Sequence, residues 1–142
     1  MPAKLEFKCP DLNATRRAGA DIAALLEWPA CVYLVGEMGA GKTTLCQAII
    51  GALGYQGAVT SPTYNLIQEY PVERGTVFHI DLYRLNDPQE ADYLGLSDLS
   101  DQPSLLLIEW PQRAAGRLPA ATQQIFIDQN EQGHRQISLQ SC

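Results

Sequence analysis

A glycine-rich segment followed by lysine and threonine is the part of this sequence whose residue types and spacing indicate a specific chemistry. Residues 36–43 read Gly-Glu-Met-Gly-Ala-Gly-Lys-Thr and fit the phosphate-binding pattern G-x-x-x-x-G-K-[ST], the P-loop or Walker A motif. Glycines let the backbone curl so that successive N–H groups point at phosphate oxygens, the lysine reaches the β- and γ-phosphates, and the threonine hydroxyl binds Mg²⁺. We therefore predict a nucleotide site made by Gly36, Glu37, Met38, Gly39, Ala40, Gly41, Lys42, Thr43 and Thr44.

Two carboxylates stand where a metal or a water molecule would need them. Asp81 follows the run Thr-Val-Phe-His-Ile, and Glu109 follows the run Ser-Leu-Leu-Leu-Ile. Strands in P-loop sheets deliver functional groups at their carboxyl ends, and hydrolysis needs both metal positioning and a group that orients the nucleophile. Each acid alone is explained as well by a strand cap or a surface ion pair, but two together favour function, with one of them acting near Mg²⁺.

A segment rich in hydroxyl-bearing side chains follows the P-loop helix in the sequence. Residues 60–64 read Thr-Ser-Pro-Thr-Tyr, and we predict Ser61 and Thr63 as parts of a switch-like loop that senses the γ-phosphate, with an ordinary Ser-Pro turn as the competing interpretation. His79 shares a strand face with Asp81, and a structural role is favoured for it. The sequence also contains arginines that could stabilise phosphate charge, although surface arginines are common: Arg84, Arg113 and Arg117.

The elements around these residues predict an α/β fold. Residues 31–35 form a continuous apolar run typical of a buried strand, and the segment after the loop has helical spacing that ends near Gly54. We predict a helix from Arg16 to Glu27 capped by Thr15, a helix start at Asp87-Pro88, and strands at 5–8, 66–70, 77–82, 105–108, 123–128 and 136–139. Together they predict a P-loop NTPase-like mixed, partly parallel sheet flanked by helices, with a C-terminal edge hairpin, in one domain over residues 1–142.

Composition narrows the class of protein. The chain has 142 residues, is 46% hydrophobic and 18% charged, and carries a formal net charge of −6, which argues against a dedicated nucleic-acid binder. Its four cysteines form no C-x-x-C pair and its two histidines are far apart, so a zinc site is not expected. With no signal-peptide pattern and no run long enough to span a membrane, we expect a cytoplasmic protein without membrane attachment.

Four segments in order resemble those of the bacterial TsaE (YjeE-type) P-loop ATPases of tRNA threonylcarbamoyladenosine biosynthesis. They are residues 36–44, Ser-Pro-Thr-Tyr at 61–64, His-Ile-Asp-Leu-Tyr-Arg at 79–84, and Leu-Ile-Glu-Trp-Pro at 107–111. The first is shared by many NTPases, whereas the last three are far more specific. The resemblance implies an ATPase with ATP and Mg²⁺ as cofactors that works with the partner proteins TsaB and TsaD and meets tRNA through their complex. It also implies Lys42 on phosphate, Thr43 and Glu109 on Mg²⁺, Asp81 as an essential catalytic acid, and a switch role for residues 61–64.

Other classes of protein use the same loop. A small-molecule kinase would add an acceptor-binding segment and an arginine-bearing lid, and no arginine-rich insertion is evident here. A GTP-dependent switch would carry Asn-Lys-x-Asp after the Glu109 strand, and that motif is missing. A nucleotide-dependent regulatory subunit without useful catalysis of its own stays open at this point.

Overall fold

A single mixed sheet with helices packed on it organises the part of the chain that the computed structural model describes, residues 4–60, 66–100 and 103–142. The strands are β1 (Lys4–Cys9), β2 (Ala30–Val35), β3 (Ile67–Val72), β4 (Gly75–Asp81), β5 (Ser104–Glu109), β6 (Gln123–Gln129) and β7 (Arg135–Ser141). The α-helices are α1 (Leu12–Leu25), α2 (Lys42–Ala52) and α3 (Leu96–Ser100), and 3₁₀ turns cover Pro88–Leu94 and Pro111–Ala114.

The centre of the sheet is parallel and its flanks are antiparallel. The strand order is β1-β7-β6-β2-β5-β4-β3, with β2 parallel to both β5 and β6 and β4 parallel to β5. Every residue of β5 is buried, which explains its continuous apolar sequence, since a central parallel strand is covered on both faces. The carboxyl ends of β2, β4 and β5 therefore meet at one edge of the sheet, where Asp81 lies opposite Glu109 in the register.

Hydrophobic clusters hold the helices to both faces of the sheet. On one face α1 and α2 contribute Ile22, Leu45 and Ile49, all fully buried, and on the other face Ile80 and Ile108 pack with residues that follow β4. Helices α1 and α2 approach so closely that a Cβ at Gly19 would lie 2.5 Å from the Cβ of Ala48. This packing fixes the start of α2 against the sheet.

The predicted class of fold, a mixed and partly parallel sheet flanked by helices, is confirmed. The hairpins predicted from the glycine-bearing links are present as the antiparallel pairs β3–β4 and β6–β7. One detail needs correction, because β1 pairs antiparallel with β7 and is itself the edge strand. The C-terminal hairpin thus lies one strand inside the edge, and β1 satisfies backbone groups of β7 that would otherwise be unpaired.

The first helix begins earlier than its sequence predicts. Asp11 has extended backbone geometry and its Oδ1 accepts a hydrogen bond of 2.8 Å from the N–H of Ala14, so Asp11 is the N-cap. The predicted cap, Thr15, lies fully buried inside the helix, where its hydroxyl donates to the Asp11 carbonyl at 3.4 Å. The prediction of Thr15 as the cap was wrong because Thr15 faces the core.

We expect Asp11→Ala to lower the free energy of unfolding by about 1 kcal/mol, because it removes the side-chain acceptor at the helix start. Asp21→Ala, at an exposed position inside the same helix, should leave stability unchanged or slightly higher, since alanine favours helix. Chemical denaturation of the two variants measures the difference. Equal stabilities for both variants would contradict the assignment of the cap.

Within the described ranges, no helix combines the length and the apolar character needed to cross a lipid bilayer.

Candidate functional site

The loop of residues 36–41 joins β2 to α2 and has a backbone that depends on glycine. Gly39 and Gly41 have φ values of 82° and 105°, in the left-handed region that glycine adopts readily. At Gly36 a Cβ would lie 2.6 Å from the carbonyl oxygen of Ile127, so the loop also passes too close to β6 for a side chain. Helix α2 begins at Lys42 with Gly41 as its N-cap, which offers no capping side chain. Its first N–H groups are therefore available to an anion.

Lys42 is buried in the cavity that this loop borders. Its ammonium donates to the carbonyl of Gly36 and, at 3.5 Å, to that of Glu37, and it lies 3.6 Å from the centroid of the Trp110 ring. Burial lowers the pKa of Lys42, and the Glu109 and Asp81 carboxylates oppose that shift. The positive charge is thus held at the loop by carbonyls and an aromatic face.

Trp110 owes its position to an uncommon backbone conformation. Its φ of 58° places a non-glycine residue in the left-handed region, where backbone strain is expected. The turn follows Glu109 directly, so it ends β5 and brings the indole ring over Lys42. The ring also packs at 5.0 Å between centroids against Tyr83, which follows β4.

Thr43 and Glu109 are in direct contact in the site. The Thr43 hydroxyl lies 3.2 Å and 3.1 Å from the two carboxylate oxygens of Glu109 and donates to them. On its other side, Glu109 Oε2 accepts a 2.6 Å hydrogen bond from Nε2 of the fully buried His79. A hydroxyl and a carboxylate at one point are ligands that Mg²⁺ prefers, and a histidine bonded to a ligating carboxylate fixes its orientation.

Cys46 lies beside this pair. Ligand atoms of Cys46, His79 and Glu109 are all within 4.8 Å of one another, although the residues are far apart in the sequence. Burial raises the pKa of the Cys46 thiol well above its usual value, and the charges of Glu109 and Asp81 add to the shift. The raised pKa favours the neutral thiol in this interior position.

Asp81 stands at the end of β4, next to Glu109 across the parallel pair. Its Oδ1 accepts a 3.0 Å hydrogen bond from the backbone N–H of Tyr83. Burial raises the pKa of Asp81; the Tyr83 hydrogen bond opposes this shift, and the nearby charge of Glu109 adds to it. Asp81 is thus a carboxylate that a proton or a positive charge would stabilise.

One cavity of about 330 Å³ brings these groups together, and we call it the Lys42 cavity. Its charged lining residues are Lys42 and Arg135, both positive, and Asp81 and Glu109, both negative. Its other lining residues are Met38, Gly39, Gly41, Thr43, Thr44, Tyr83 and Trp110. Backbone donors at a helix start, an ammonium, a hydroxyl and two carboxylates are a donor set that fits a magnesium-bound nucleotide.

Some of the predicted site residues line the same cavity. Lys42, Thr43, Asp81 and Glu109 share the cavity, whereas Ser61 and Thr63 lie outside the described residues. Among the arginines considered from sequence, Arg117 forms a 2.6 Å ion pair with Asp92 on the surface, and Arg113 lies 5.2 Å from the Tyr83 ring centroid.

Sequence reasoning missed two features. It favoured a structural role for His79 but did not predict its bond to Glu109, and it did not single out Arg135, which no motif marks. The first depends on the parallel pairing of β4 with β5, which sets Glu109 opposite Asp81 on the strand face that His79 shares. The second depends on the strand order, which the sequence does not provide.

Comparison with known proteins identifies relatives of one family. The family model described as threonylcarbamoyl adenosine biosynthesis protein TsaE matches residues 9–137. Proteins named tRNA threonylcarbamoyladenosine biosynthesis protein TsaE are similar in sequence. The one from Haemophilus influenzae is 41% identical over 124 residues, covering 84% of this chain and 78% of that protein. The one from Treponema pallidum is 34% identical over 135 residues, covering 94% of this chain and 99% of that protein.

A solved structure is similar over nearly the whole chain. The crystal structure of YdiB from Bacillus subtilis matches with a TM-score of 0.77 and 26% sequence identity, covering 99% of this chain and 87% of that one. The family model and the sequence relatives name the same family. The chain belongs to the TsaE family of threonylcarbamoyl adenosine biosynthesis proteins.

Proposed function

We propose that this protein binds and hydrolyses ATP with Mg²⁺ in the Lys42 cavity and thereby supports threonylcarbamoyladenosine modification of tRNA in the cytoplasm, together with TsaB and TsaD. The observation that carries the proposal is the contact of the Thr43 hydroxyl with both oxygens of Glu109 beside the buried Lys42. A hydroxyl from the start of α2 and an acid from the end of a neighbouring parallel strand are the protein ligands that a P-loop ATPase uses for its metal.

Each residue then has a distinct role. Lys42 leaves its loop carbonyls to bind the β- and γ-phosphates, and the Gly39 and Gly41 backbone completes the cradle. Thr43 and Glu109 would hold Mg²⁺, which would neutralise charge on the phosphates, and the hydrogen bond from His79 orients the Glu109 carboxylate. Asp81 acts on catalysis or on the geometry of the switch, as an acceptor near the γ-phosphate.

The charge of the chain supports a dependence of its function on protein partners. The chain carries a formal net charge of −6, which argues against a dedicated nucleic-acid binder, so we infer that it meets tRNA through a complex. For nucleotide state to control that complex, ATP and ADP must stabilise different conformations. Residues 61–64 are the proposed moving element, because a hydroxyl bound to the γ-phosphate loses that contact after hydrolysis.

Affinity capture tests the partnership. Tagged protein is incubated with TsaB and TsaD in ATP, in ADP and without nucleotide, and we expect the pair to be retained most strongly with ATP. In cells depleted of the protein, nucleoside analysis of tRNA should show loss of threonylcarbamoyladenosine. Wild-type protein and Lys4→Ala, a surface variant, should restore the nucleoside, and Lys42→Ala should not. An unchanged nucleoside level after depletion would contradict the proposal.

A further inference from the structure

Arg135 reaches the phosphate loop from a distant part of the fold. It begins β7, where the backbone pairs with Cys9 of β1 and Gln129 of β6. Its side chain lies against Gly41, so that a Cβ there would be 2.6 Å from Arg135 Nε and 3.0 Å from both Cδ and Cζ. The guanidinium group therefore lies directly over the junction between the loop and α2.

Among the described residues, this guanidinium forms none of the ion pairs that a structural arginine usually has. Its Nε is buried without a hydrogen-bond partner in the part of the chain that the structure describes. Ion pairs among the described residues join Lys4 to Glu6, His79 to Glu109 and Arg117 to Asp92, so none of them includes Arg135. A buried N–H without a hydrogen-bond acceptor destabilises the site, and a ligand acceptor would satisfy it.

The surroundings point to an anion as that acceptor. Arg135 lines the Lys42 cavity, as do Gly41 and Thr44 at the start of α2, and it lies against Gly41. In a P-loop the backbone of this junction cradles the α- and β-phosphates, whereas the lysine reaches the β- and γ-phosphates. The planar fork of a guanidinium matches two phosphate oxygens, which a lysine ammonium cannot do.

We propose that Arg135 binds the α- and β-phosphates of the nucleotide, so that the C-terminal hairpin contributes a residue to the nucleotide site. This inference rests on the proposed nucleotide binding and deepens it. Because ADP and ATP share these phosphates, the contact contributes equally to the affinity for both. This equal contribution to ADP and ATP affinity distinguishes Arg135 from the predicted switch loop, residues 61–64, whose proposed contact depends on the γ-phosphate.

The test compares Arg135→Met with Arg117→Met, a surface control at an arginine that pairs with Asp92. Methionine keeps an apolar stem of similar length and removes the charge. Titration calorimetry with ADP–Mg²⁺ and ATP–Mg²⁺ should show both affinities reduced roughly ten- to hundred-fold in Arg135→Met, the range of a charge-assisted contact, and unchanged in the control. The dependence of ADP affinity on salt concentration should also become shallower, since one phosphate contact is lost. Arg135→Lys should recover only part of the affinity.

Three results would overturn this inference alone, and a fourth would remove the proposed function on which it rests. Unchanged ADP affinity with weakened ATP affinity places Arg135 on the γ-phosphate. Weaker binding with an unchanged salt dependence and a lower unfolding temperature gives Arg135 a structural role. Wild-type protein that binds neither nucleotide removes the proposed function itself, whereas normal wild-type binding with an unaffected Arg135→Met removes the inference alone.

Discussion

Lys42→Ala is expected to abolish productive ATP binding, with the affinity for ATP–Mg²⁺ falling tens- to a hundred-fold. The ammonium is buried beside the loop and near two carboxylates, and we expect it to provide the charge-assisted contact to the β- and γ-phosphates. Loss of one such contact costs roughly 2–3 kcal/mol, which converts to that range of affinities. Titration calorimetry of the purified variant measures the change directly.

A second lysine provides the control. Lys4→Ala removes a charge from an exposed surface pair with Glu6, so it changes the net charge by the same amount far from the cavity. Its affinity for ATP should equal that of the wild type. If Lys42→Ala binds ATP as tightly as Lys4→Ala, Lys42 has no part in phosphate binding and the proposed site is wrong.

The second large effect separates the two strand-end acids. Glu109→Gln removes a charge at the point where Thr43 and His79 converge, so we expect a higher Mg²⁺ concentration for half-maximal turnover and a much lower maximal rate. Asp81→Asn keeps an acceptor for the Tyr83 N–H, so nucleotide affinity should be kept while turnover falls. Steady-state hydrolysis over a range of Mg²⁺ concentrations distinguishes the two variants. A shifted Mg²⁺ dependence in Asp81→Asn, with none in Glu109→Gln, would show that the roles are reversed.

Asp81→Asn should also change the stability of the folded protein relative to the wild type, and the change should depend on pH. Burial raises the pKa of Asp81 in the folded state above its unfolded value, so the folded state holds its proton more tightly. The contribution of Asp81 to the stability of the wild type should therefore fall as pH rises from the unfolded pKa through the folded pKa. Above that range, nucleotide-free Asp81→Asn should unfold at the same temperature as the wild type or higher, although its turnover is reduced.

The local features of the nucleotide site were predictable because they depend on neighbouring residues. The apolar run before Gly36, the glycine spacing and the helical pattern after Lys42 each reflect short-range geometry, and the structure places β2 and α2 accordingly. The meeting of Asp81 and Glu109 was also predictable, since both follow apolar runs that end at the same edge of a parallel sheet.

Contacts that depend on strand order were not predictable from the sequence. Arg135 touches Gly41 because β7 lies between β1 and β6, an order that the hairpin pattern alone does not specify. The cap of α1 was missed for a local reason, because both Asp11 and Thr15 are residue types that cap helices and only burial distinguishes them.

ATP hydrolysis in the presence and absence of the TsaB–TsaD pair tests most directly whether this protein is a partner-dependent ATPase. We predict a slow basal rate for the wild type that rises when the pair is added, and no rise for Glu109→Gln under the same conditions. Full basal activity that does not respond to the pair would contradict the account and favour a small-molecule kinase or a stand-alone NTPase.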